Sequence, residues 1–134
     1  MINENYSGKK PVLIVEDLAA NRDLFSLQLQ HFGLASQCAK NGREAIELLQ
    51  ADPHAFSMIL MDLQMPVMDG LTAAQLIRHG EINTNRHIVI IALTANRAVE
   101  TREQCLQAGM DDFISKPVTL DKLNDVLAKW LNLP

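Results

Sequence analysis

Little in the chain would tie it to a metal scaffold, a membrane or a nucleic acid. Only two cysteines occur in 134 residues, Cys38 and Cys105, far apart and with no CxxC spacing. That excludes a disulfide framework or a cysteine zinc site, and it suits reduced thiols, in the core or near the surface, of a cytosolic protein. The four histidines, His31, His54, His79 and His87, show no HxxxH spacing, so each reads as a surface or packing residue. No apolar run approaches the roughly 18 residues of a spanning helix, and the opening MINENYSGKK is too polar for a signal peptide. A basic excess is missing as well. The formal net charge is -4, which argues against direct nucleic-acid binding. Internal repeats and low-complexity stretches are also lacking.

What is present is the composition of an ordinary soluble domain, 48% hydrophobic and 21% charged. The length suits one domain able to bury a core without metals or disulfides. Residues 1–10 are polar and read as a flexible tail, and residues 11–134 as the domain. From there two patterns alternate. PVLIV (Pro11–Val15), SMILM (Ser57–Met61) and HIVIIAL (His87–Leu93) are apolar at successive positions, as strands covered on both faces are. LASQCA (Leu34–Ala39) and DFIS (Asp112–Ser115) are weaker strand signals.

Helical spacing fills the gaps. Asn21–Phe32 carries Leu24, Leu27 and His31 interleaved with Phe25, Leu29 and Phe32, and Gly33 sits where a helix would stop. Asn41–Gln50, Leu71–His79 with Gly80 behind it, and Ala98–Ala108 ahead of Gly109 follow. Leu120, Leu123, Leu127 and Trp130 form the stripe of a last helix, with Thr119 as its cap. Strict alternation predicts an α/β fold: a parallel sheet with helices on both faces and right-handed crossovers. Ligands of such folds bind outside the carboxyl ends of the strands.

Those ends carry chemistry. The first strand runs into Glu16-Asp17, the third ends on Asp62 within MILMDLQMPVMDG, the fourth on Thr94, and the fifth runs into Lys116-Pro117. A lone aspartate after an apolar run is a common turn residue. Three carboxylates, a hydroxyl and an ammonium at one edge are a different matter. Crowded carboxylates resist ionising unless a cation joins them, and Mg²⁺ takes oxygen ligands from one or two carboxylates plus phosphate. A carboxylate nucleophile beside cationic and hydroxyl groups suits phosphoryl transfer.

VLIVED, MDLQMPVMDG, ALTA and FISKP resemble, in order and in element, the signature segments of response-regulator receiver domains of two-component signalling. The resemblance covers about residues 10 to 131 and is most similar to receivers of hybrid sensor kinases. It implies a flavodoxin-like (βα)5 fold with strand order 2-1-3-4-5. It also implies that Asp62 accepts phosphate from a phosphohistidine and that Mg²⁺ is the cofactor. The metal would be held by Asp17, Asp62 and the backbone carbonyl of Gln64, with Glu16 acting through water. Thr94 and Lys116 would bind the phosphoryl group, Thr94 and Phe113 would form the switch, and Pro117 would follow a cis bond. The expected output is a changed surface of the fourth helix, fifth strand and fifth helix. The expected partners are a sensor histidine kinase or a histidine phosphotransfer domain, in the cytoplasm, with no nucleic acid bound directly. The domain would catalyse its own transfer and dephosphorylation without being an enzyme in the ordinary sense. Only four residues follow Trp130, which leaves no room for an effector in this chain. Because LTANRAVETREQCLQAGMDDFISKP resembles receivers of hybrid kinases more than those of transcription factors, a receiver belonging to a larger hybrid kinase is expected over a stand-alone protein.

A Mg²⁺-dependent phosphatase of the haloacid-dehalogenase type uses a similar Asp, Thr and Lys set. It places the nucleophile on the first strand and a second acid two residues later, whereas Asp62 ends the third strand and Gln64 follows it. A flavodoxin-like cofactor binder would need a phosphate-cradling loop after the first strand, which EDLAANR does not offer. A receiver-like module that is never phosphorylated could dispense with the complete acidic set.

Overall fold

A computed structural model of the chain describes residue 6, residues 8–95 and residues 99–131. It alternates β1 (Val12–Val15), α1 (Ala19–His31), β2 (Ser36–Ala39), α2 (Gly42–Ala51) and β3 (Met58–Asp62). Then come α3 (Gly70–Glu81), β4 (Val89–Thr94), α4 (Val99–Gln107), β5 (Asp112–Ser115) and α5 (Leu120–Trp130). The strands form one parallel sheet in the order β2-β1-β3-β4-β5.

The apolar runs are continuous because both faces are covered. Side chains alternate across a strand, so neighbours in sequence enter different cores. Val12 and Ile14 of β1 pack with Phe25 and Leu29 of α1 and Leu123 and Leu127 of α5. Leu13 and Val15 pack on the other face with Ala45, Ala73, Ala74 and Ile77 from α2 and α3. Of the six interleaved residues expected along α1, the structure buries Phe25, Leu29 and Phe32 and leaves Leu24, Leu27 and His31 exposed. Of the α5 stripe, Leu123 and Leu127 are buried, Trp130 is half-buried and Leu120 is exposed.

Local chemistry sets the ends. The Asn41 side chain accepts from Glu44 N at 2.9 Å, while Glu44 Oε1 accepts from Lys40 N, so α2 starts at Gly42. Asp69 and Thr119 cap α3 and α5 in the same way. Gly33 and Gly109 take φ of 78° and 100°, conformations that suit glycine just past a helix. Most ends shift by one or two residues from the sequence expectation, and three of the shifts have a visible local cause. Gly80 lies inside α3, not behind it, because Glu81 is held by Arg78 and by Ile88 N. The fourth strand begins at Val89, not His87, because Ile88 N is taken by the Glu81 carboxylate and not by the ladder. The second strand begins at Ser36, because Leu34 N closes back onto Leu29 O at the end of α1.

Of the expected tail, residues 1–5 and 7 lie outside the described residues. Tyr6 is buried, its ring edge-on to Phe32 with centroids 6.4 Å apart. Ala98, expected to open the fourth helix, is also outside them. Among the described residues, no helix is long and apolar enough to cross a membrane.

Candidate functional site

Parallel strands deliver their carboxyl ends to one edge, and the register aligns the residues just beyond them. Val15 pairs with Met61, so Glu16 and Asp62 come next on adjacent strands. Leu93 pairs with Asp62, and Thr94 with Ser115, which puts Thr94 and Lys116 on the same rim. The rim borders a cleft of about 1110 Å³ that also includes Asp17, Gln64, Met65 and Pro66.

Glu16, Asp62 and Lys116 are each held in place. Glu16 has no exposed surface; its Oε1 accepts from Leu18 N at 3.2 Å, and Arg22 clamps the Glu16 carbonyl at 2.9 Å. Asp62 Oδ1 accepts from Gln64 N at 3.2 Å and lies 3.3 Å from Lys116 Nζ. Lys116 Nζ is 3.9 Å from Glu16 Oε2, and Lys116 N donates to Thr94 O at 2.7 Å. Thr94 is buried beside them. The Lys116–Pro117 bond is cis. Gly70 N bonds to Leu63 O at 3.0 Å, and a Cβ at Gly70 would collide with the Asp62 carbonyl, so α3 can start this close to β3 only with glycine there. Phe113 stands one strand away, half-buried, with the Arg102 guanidinium 4.8 Å from its ring centroid.

The electrostatics call for a cation. One carboxylate oxygen from each of Glu16, Asp17 and Asp62 lies within 4.8 Å of the others. Burial foremost, and then the neighbouring Asp62 carboxylate, push Glu16 up to about 7 against the lowering bond from Leu18. Among the described residues, its buried Oε2 has no hydrogen-bond partner. One ammonium contacts two of the three acids, and one of the Glu16 oxygens is left orphaned and buried among the described residues. This donor set, all oxygen and net negative, fits a hard divalent ion.

The structure therefore gathers Glu16, Asp17, Asp62, Gln64, Thr94 and Lys116 around one cleft and leaves Phe113 outside its lining. Sequence reasoning missed Arg22, which steadies the loop carrying Asp17. It also missed Lys122 and Gln28, which hold the segment around Lys116. None stands at a strand end, so nothing in the pattern distinguished them from solvent-facing helix residues.

A family model described as the response regulator receiver domain matches residues 12–128. Hybrid signal transduction histidine kinase B of Dictyostelium discoideum is 40% identical over 131 residues, which take in 90% of this chain and 7% of that protein. In eight curated relatives the chain spans 6% to 16% of their length. A co-crystal structure of the Saccharomyces cerevisiae histidine phosphotransfer signaling protein Ypd1 with the receiver domain of its downstream response regulator Ssk1 contains a similar chain. It matches at a TM-score of 0.83 and 32% identity, over 91% of this chain and 88% of that one. The receiver domain of the sensor histidine kinase PA1611 of Pseudomonas aeruginosa PAO1, crystallised with a magnesium ion coordinated in its active site cleft, matches at 0.78 and 35% identity. That match covers 92% of this chain and 98% of that one.

Proposed function

The chain belongs to the response regulator receiver domain family of two-component signalling, and from that premise we propose that Asp62 is its phospho-accepting residue. An Asp62 carboxylate oxygen attacks the phosphorus of a phosphohistidine. The P–N bond breaks, the imidazole leaves, and an acyl phosphate remains on the strand end. Lys116, already 3.3 Å from Asp62, balances charge on the transferred oxygens, and the Thr94 hydroxyl donates to them. Asp17, Asp62 and the carbonyl of Gln64 would hold Mg²⁺, with Glu16 acting through water. Bound there, the ion would supply further charge neutralisation. The domain supplies its own catalysis of transfer and of later hydrolysis, because positioning and charge neutralisation are most of what the step needs.

The observation that carries this reading is the cluster of Glu16, Asp17 and Asp62 with Lys116 in contact, at the strand ends of this family's fold. Ypd1 is crystallised with the Ssk1 receiver, and hybrid histidine kinases are among the relatives. We assign this chain a sensor kinase or a histidine phosphotransfer domain as phosphodonor, within a longer cytoplasmic hybrid kinase. The signal leaves through the surface of α4, β5 and α5, without direct nucleic-acid contact. Intact mass spectrometry with Mg²⁺ and a phosphohistidine donor should show one added phosphate on the wild type and none on Asp62→Asn. A persistent phosphate on that variant would mean a different nucleophile.

A further inference from the structure

The segment that carries Lys116 is gripped from two helices. Lys122, half-buried in the first turn of α5, donates through Nζ to Ser115 O at 3.1 Å, Ser115 Oγ at 3.1 Å and Pro117 O at 3.2 Å. From α1, Gln28 Nε2 donates to Val118 O at 2.8 Å. The residue before Lys116 and the two after it thus each present a carbonyl to a side chain from a helix. An ammonium has three N–H donors and no acceptor, and here three oxygens of one short segment surround it. Lys122 makes no ion pair among the described residues, so nothing else orients it.

We infer that Lys122, assisted by Gln28, is a positioning residue for phosphoryl transfer. It acts through Lys116, and the inference rests on the roles given above to Asp62 and Lys116. The Lys116 side chain is long and flexible, so where its ammonium sits depends on where its backbone is fixed. On the sheet side one bond does this, Lys116 N to Thr94 O. Past the strand end no ladder exists, and Lys122 and Gln28 take its place. A charge contribution falls with distance, and a small misplacement of a reacting or stabilising group costs rate steeply. Without Lys122, residues 115–118 gain freedom and Lys116 Nζ spends less of its time 3.3 Å from Asp62.

The test uses the full chain with Mg²⁺ and acetyl phosphate, following phosphate on Asp62 by intact mass. Lys122→Met keeps the stem and removes the donors. Its rate at saturating donor should fall about fivefold while the half-saturating concentration and Mg²⁺ affinity stay within about twofold. Lys122→Arg, which keeps charge and donors, should recover most of the rate. In a Lys116→Met background, adding Lys122→Met should cost less than about twofold, because residues acting as one unit are not additive. Gln28→Met should slow the wild type about twofold and serves if Lys122→Met does not fold. Unchanged rates in Lys122→Met, or equal losses with and without Lys116, would overturn the inference alone. A wild type that takes no phosphate on Asp62 would overturn the functional reading and this inference with it.

Discussion

Glu16 is wholly buried, its Oε2 lacks a hydrogen-bond donor among the described residues, and burial beside Asp62 raises its carboxyl to about 7. A carboxylate so placed opposes folding once ionised, a cost that the proposed Mg²⁺ would offset. In chelator at pH 8, Glu16→Gln should therefore stabilise the metal-free protein, by about 1–3 kcal/mol given the cost of an ionised buried acid. Thermal melts with and without Mg²⁺ check this, since the gain should vanish or reverse when the ion is added. Asp17→Asn should weaken Mg²⁺ binding strongly and Asp52→Asn, at the end of α2, should not; equal affinities on titration would remove Asp17 from the site. Val67, in the loop after Met65-Pro66, shows a second kind of cost. It is exposed and holds φ at 70°, where a β-branched side chain is strained. Val67→Gly should raise stability by about 1 kcal/mol through relief of that strain, read from the urea midpoint.

Between elements, Arg78 joins α3 to the turn between α4 and β5. Its Nε donates to Gly109 O at 2.8 Å, and its two terminal nitrogens reach Glu81 at 2.6 Å and Asp111 at 2.8 Å. Asp111 in turn accepts from Ile90 N and pairs with His87. Arg78 and Asp111 are mostly buried, so losing the cation leaves two carboxylates and a carbonyl poorly paired. Arg78→Ala should cost about 3 kcal/mol in urea denaturation. Asn41→Ala removes one cap bond at the start of α2 and should cost about 1 kcal/mol. A smaller loss for Arg78 than for Asn41 would show that the network is not what fixes the α4–β5 turn.

At the scale of the molecule, the proposed function requires phosphate on Asp62 to become a change of surface. Thr94 sits on the rim of the cleft, and Phe113 is on the neighbouring strand, paired in register with Ala92 and stacked under Arg102. A cation over a ring is worth only about 0.5–1 kcal/mol at an exposed site, so this contact can yield to a competing packing. A switch between two packings separated by a few kcal/mol is moved by a ligand that prefers one of them. Beryllofluoride, standing in for the phosphoryl group, should shift amide resonances of α4 and β5 in the wild type. In Thr94→Ala it should still bind, but those distant shifts should shrink. Undiminished shifts would disconnect Thr94 from the output face.

Much of this was legible in the sequence, for a physical reason. Burial on both faces makes a parallel strand apolar throughout, and alternation with helices sends every strand the same way, so the residues after each run must meet at one edge. Glu16, Asp17, Asp62, Thr94 and Lys116 could be found by position alone. The helix stops at Gly33 and Gly109 were legible because left-handed backbone selects glycine. The sequence did not reveal which face of α1 is buried, because leucines and aromatics lie on both sides of it and only the packing of α1 on the sheet and α5 selects Phe25 and Leu29. Nor did it reveal Lys122 around Lys116, or Gln28 reaching a carbonyl 90 residues away. Hydrophobic periodicity records what each element buries. Which polar side chain meets which backbone depends on how elements distant in sequence pack, and that was decided by the tertiary structure.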